Sequence, residues 1–76
     1  MDKKEYKDKF IRALLDEFDT NKTTAEKIAE EGWDAWQDGV EKKPEEWIEK
    51  LRLRSGTIES RWNWARNYFD ASEYNT

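Results

Sequence analysis

Between Thr23 and Val40 the chain reads TTAEKIAEEGWDAWQDGV, and this stretch restricts the fold more than any other. Ala25, Ile28, Ala29, Gly32, Trp33, Trp36 and Val40 recur at i, i+3, i+4 and i+7, the spacing that gathers apolar side chains on one helix face. Thr23 and Glu26 have the T-x-x-E form of a capping box. Gly39 stands where a helix end calls for a left-handed residue, and Val40 follows to close over the last turn. Gly32 is out of pattern, because glycine inside a helix costs about 1 kcal/mol against alanine. Its position in the apolar stripe, beside two tryptophans, predicts a close approach in which a neighbouring helix or ring reaches the backbone.

A chain of 76 residues forms one domain, and at that size a core supplies only about 3–5 kcal/mol of net stability unless something reinforces it. The sequence holds no cysteine and no histidine, which excludes a disulfide framework, a thiol nucleophile and the usual zinc sites. Reinforcement is therefore expected from its five tryptophans, three tyrosines and three phenylalanines. A buried aromatic that removes ~200 Å² from water at ~25 cal/mol/Å² contributes on the order of 5 kcal/mol gross. Charged residues make up 42% of the chain and the net charge is −4, a composition that argues against collapse until the periodicity is considered. No segment approaches the roughly 18 apolar residues of a membrane span, and the N-terminal MDKKEYKDKF lacks a signal peptide's apolar run. The expected location is the cytoplasm, where the sequon at Asn21, Lys22 and Thr23 is without meaning.

The first helix is predicted over residues 3–19, with Tyr6, Phe10, Leu14 and Phe18 at fourfold spacing and Ile11 and Leu15 beside them. This arc is wider than one neighbour needs, so two helices are expected to cover it. Its charges run against the helix dipole: Lys3, Lys4, Lys7 and Lys9 lie early, and Asp16, Glu17 and Asp19 lie late. The connection at Asp19–Lys22 allows only an antiparallel return. Asp19, Asn21, Thr23 and Glu30 have the spacing of calcium ligands, but Thr24 occupies the position where that loop needs glycine, so calcium is not expected. The second helix is predicted over 24–38. Pro44, with Glu45 and Glu46 behind it, opens a third over 44–54, with Trp47, Ile48 and Leu51 on one face and Leu53 opposite. Thr57 is the expected N-cap of a fourth, over 57–71, with a core stripe of Ile58, Trp62, Ala65 and Phe69. Trp64 lies roughly 130° and Tyr68 roughly 90° from that stripe, in a flanking row with Ala71. The expected fold is an all-α, compact bundle of four short helices forming a single domain over 1–72, with a frayed tail over 73–76.

Charge divides the chain. Residues 16–49 hold twelve acids and four lysines, and residues 50–66 hold five bases and one acid. Glu26, Glu30, Glu31, Asp34 and Asp38 form an acidic ridge on the second helix, relieved only by Lys27. It reads either as a solvated surface or as a contact for a partner with a basic surface. Trp64, Tyr68, Arg61 and Arg54 lie in one stretch and belong to the residue types that dominate interface energies. Trp64 is then either core or an exposed anchor.

Nothing has the form of a phosphate-cradling loop or a nucleophile elbow, so neither catalysis nor a cofactor or metal is expected. The leading expectation is a small acidic protein-binding module, an inhibitor or adaptor that occupies a basic, often nucleic-acid-handling, surface. Such products are common among phages and mobile elements, which is a prior about the class. The alternative is a helix-turn-helix DNA reader with the helix over 57–71 as recognition helix, using Thr57, Ser60, Arg61, Asn63 and Asn67. A negative net charge disfavours it.

Overall fold

The computed structural model describes residues 2–74, with side chains as far as Phe69. Four helices follow in order: α1 (Lys3–Glu17), α2 (Lys22–Gln37), α3 (Pro44–Arg52) and α4 (Ile58–Tyr74). The fold is the expected all-α bundle. Helix α4 passes its expected end at residue 71, and residues 75 and 76 of the expected tail lie outside the described residues.

Each start has a local cause. The Asp2 carboxylate accepts the Glu5 N–H at 2.8 Å, and Thr57 Oγ1 accepts the Ser60 N–H at 3.1 Å, as expected of an N-cap threonine. Pro44 opens α3, and Glu46 reaches back to accept the Lys43 N–H at 2.8 Å. Helix α2 corrects the sequence reading. Its N-cap is Asn21, whose side chain accepts the Thr24 N–H at 2.9 Å, so Thr23 lies inside the first turn and the Thr23–Glu26 box does not form. Asparagine is at least as good a cap as threonine, and its position lets the helix begin earlier.

The end of α2 is as anticipated. Gly39 has φ +102°, its N–H donates to Trp36 O at 3.2 Å, and the Val40 N–H donates to Ala35 O at 2.8 Å. This pair of bonds is a Schellman motif, and Val40 is buried behind it.

Helices α1 and α2 form one antiparallel hairpin, and α3 and α4 a second. The hairpins lie side by side with α1 against α3, so the molecule is flat, with principal extents of 34 × 30 × 17 Å. Tyr6, Phe10 and Leu14 of α1 are fully buried, as are Trp47 and Leu51 of α3. Edge-on aromatic contacts line each hairpin, Tyr6 against Trp33 and Trp36 in the first and Trp47 against Phe69 in the second, and the aromatic seam between the hairpins is made where Phe10 meets Trp62 and the Trp47 indole donates to the Tyr6 hydroxyl. Gly32 lies where the sequence placed it. A Cβ there would come within 2.8 Å of the Phe10 ring.

Three of the reversed charges of α1 have partners on neighbouring helices. Lys3 and Lys7 both reach Glu30 of α2, at 3.0 and 2.6 Å, and Arg52 of α3 forks onto Glu17. Those side chains serve contacts between helices rather than the dipole of their own helix.

Candidate functional site

The outer face of the second hairpin carries two of the three exposed large hydrophobic side chains among the described residues, the third being Leu15 of α1. Leu53, 69% exposed, and Tyr68, 47% exposed, both lie there. Glu46 and Leu53 leave α3 and its final turn on the side away from the buried Trp47, Ile48 and Leu51, Lys50 flanks that side, and Arg54 follows just past the helix end. Across from them α4 presents Trp64 and Tyr68, with ring centroids 5.9 Å apart. The Lys50 Nζ stands 3.8 Å above the Tyr68 ring, 5.4 Å from Phe69 and 5.8 Å from Trp64. The Arg54 guanidinium lies 5.5 Å from the Trp64 ring, and Lys42 Nζ lies 4.9 Å from Phe69. Three cations thus rest on three aromatic rings. A cleft of about 240 Å³ runs beside them, lined by Lys42, Glu46, Glu49, Lys50, Leu53 and Phe69.

Trp64 resolves into neither of its two expected forms. It is half-buried, packed against the core, with the charged ends of Lys50 and Arg54 over its ring. Arg61 does not join this face. Its Nε donates to Gly56 O at 3.1 Å and its terminal nitrogen to Leu51 O at 3.3 Å, while its guanidinium lies 5.2 Å from the Phe18 ring. It closes the turn between α3 and α4 from the inside. Sequence reasoning missed Lys50, Leu53 and Phe69 as parts of the face. For Lys50 and Leu53 the signal is the outer side of α3, since Leu53 falls opposite its core stripe; Phe69 belongs to the core stripe of α4, and the sequence does not mark its part-exposed edge.

The acidic ridge is split. Glu30 is held between Lys3 and Lys7, whose hydrogen bonds, that of Lys7 foremost, lower its pKa. Glu31 turns to α4, accepting the Trp62 indole N–H at 3.3 Å, and its carbonyl accepts from Arg66 at 3.2 Å. Glu26, Asp34 and Asp38 remain exposed. The ridge is therefore partly salt-bridged, because the relieving lysines come from α1 rather than from α2 itself.

Among the described residues one titratable group is buried within the fold. The Tyr6 hydroxyl donates to Lys42 O at 2.7 Å and accepts the Trp47 indole N–H at 3.0 Å. Burial pushes its pKa up to about 12, against the opposing effect of the Trp47 bond. It ties α1 to α3 and to the loop before it, and is enclosed by aromatic rings.

Among the described residues no helix is long and apolar enough to cross a membrane. Comparison of the chain with family models, curated proteins and solved structures gives no match.

Proposed function

We propose that this chain is a non-catalytic protein-binding module whose contact surface is the cation–aromatic face of α3 and α4. The observation that carries the reading is the placement of Lys50 and Arg54 on Trp64 and Tyr68, next to an exposed Leu53. Aromatic and arginine side chains with an apolar neighbour are the usual composition of an energetic centre in an interface. The two carboxylates with displaced pKa values, Glu17 and Glu30, are displaced downward by their cations, the opposite of what a general acid requires. The DNA-reader alternative loses support from α4 itself. Arg61 and Arg66, its two bases, are both turned onto backbone carbonyls, so neither is presented to a phosphate as a recognition helix requires. A second reading, docking of α2 on a basic surface in the manner of an inhibitor, is favoured by the exposure of Glu26, Asp34 and Asp38, which take part in no ion pair among the described residues.

Photo-crosslinking separates these readings. A benzophenone amino acid would be placed at Leu53, at Asp34 or at the off-face Lys22, in the chain expressed in its native host. The expected result is a protein adduct of discrete mass from position 53 and none from position 22. Adducts from position 34 alone would transfer the reading to the acidic side of α2. Indifference to position would overturn it.

A further inference from the structure

Resting on that reading, we infer that the α3–α4 face takes a carboxylate-bearing peptide segment of a partner, with a bulky apolar side chain seated in the Leu53–Phe69 cleft. The ion pairs among the described residues use Lys3, Lys7, Lys9 and Arg52, while Lys42, Lys50 and Arg54 have neither a carboxylate partner nor a side-chain hydrogen bond. For Lys50 this is unexpected. Glu46 precedes it by four residues, in the order that favours a helical ion pair. Glu46 instead accepts the Lys43 N–H, and Lys50 lies on Tyr68. The helix dipole accounts for a cation in the last turn of α3, but not for one laid on a ring.

A cation on an aromatic face keeps its ammonium or guanidinium donors for an outside acceptor, while its long stem is already ordered. The entropy normally lost when a flexible lysine or arginine enters an ion pair is thereby reduced in advance. Carboxylates meeting Lys50 and Arg54 would bond to groups already in position. Between them and Lys42 the cleft of about 240 Å³ offers apolar walls from Leu53 and Phe69. Glu46 and Glu49 line the same cleft. That acidic wall disfavours a continuous phosphate backbone, which needs an unbroken run of cations, and it repels a carboxylate from the cleft itself, so the apolar side chain takes the cleft and the carboxylates are met at its rim by Lys50 and Arg54. Charge complementarity therefore selects an acidic–apolar peptide over a nucleic acid.

The test is a random peptide library displayed on phage and selected against the full chain, followed by fluorescence anisotropy with the enriched peptides made synthetically. Enriched sequences should carry Asp or Glu on either side of a Leu, Phe or Trp. Lys50→Gln and Arg54→Gln should each weaken binding by about tenfold or more, with unchanged circular dichroism, whereas Lys22→Gln should leave it alone. Leu53→Asp should abolish it. Lys50→Glu should recover affinity for a peptide whose carboxylates are replaced by lysines. Enrichment of sequences poor in acids, absence of enrichment, or displacement of the peptide by a single-stranded oligonucleotide at equal concentration would overturn the inference. A site-dependent crosslink from position 53 to a partner segment without acids would sink this inference and leave the binding-module reading standing. Loss of site dependence would sink both.

Discussion

Gly32 and Tyr6 show how two residues set the geometry around them. At Gly32 the ring of Phe10 occupies the space a Cβ needs, and that ring is itself fully buried, so it has nowhere to yield. Gly32→Ala gains about 1 kcal/mol of helix propensity but overpacks the crossing, and a net loss of roughly 1–2 kcal/mol is expected. In a domain this small that lowers the melting temperature by about 4–8 °C per kcal/mol, and a rise would show that the backbones can separate freely. At Tyr6 the hydroxyl is both donor and acceptor inside the core. Tyr6→Phe orphans the Trp47 indole N–H and the Lys42 carbonyl, at a cost of about 1–3 kcal/mol. Its raised pKa gives the pH dependence a definite sign. The folded state holds the proton more tightly than the unfolded chain, so this contribution is complete below pH 10 and is lost as pH rises toward about 12. The difference amounts to about 2–3 kcal/mol. Urea titrations of the parent chain and Tyr6→Phe across that range should converge as pH rises, and parallel curves would contradict the assignment.

Helix by helix, the sequence announces what is local and conceals what depends on a neighbour. The apolar spacing, Pro44, Thr57 and the Gly39–Val40 stop are each decided within a few residues, and all four helices lie where those signals put them. The start of α2 was misread because two good caps stand two positions apart, and only the backbone angles distinguish them. Asn21→Ala should therefore cost about 1 kcal/mol and Thr23→Ala close to nothing in chemical denaturation, the reverse of what the T-x-x-E pattern implies. The candidate face was half legible. Trp64 and Tyr68 follow from their helical phase and Arg54 from its nearness in the chain, but Arg61 has the same kind of phase as the two aromatics and is drawn inward by carbonyls of the α3–α4 turn. The ridge on α2 failed for the same reason, since Lys3 and Lys7 belong to another helix. Glu30 and Glu17, both with lowered pKa, hold contacts that are present above the ordinary glutamate range and weaken as pH falls through their depressed values.

A molecule 17 Å thick has little interior to draw on, and its stability is concentrated in a few large side chains. Trp62, 3% exposed, touches Phe10, Trp47 and Glu31, and thus links α4 to every other helix. Trp62→Ala should cost about 3–5 kcal/mol, comparable to the whole reserve of such a domain, and give a largely unfolded chain by circular dichroism at 25 °C. Half-buried Trp64→Ala should cost roughly 1–2 kcal/mol and leave a cooperative melt. Equal collapse of the two variants would remove Trp64 from the binding face. The two-hairpin plan also dictates an order of events in time. Within each hairpin the contacts are between helices adjacent in sequence, whereas the bonds of Tyr6 span 36 and 41 residues. Short loops close before long ones, so the hairpins form first and the aromatic seam joins them last. Kinetically, Tyr6 is then a latch rather than a nucleus. Tyr6→Phe should leave the folding limb of a chevron plot nearly unmoved and raise the unfolding rate by roughly five- to a hundredfold, so the chain would assemble as fast as before but come apart sooner.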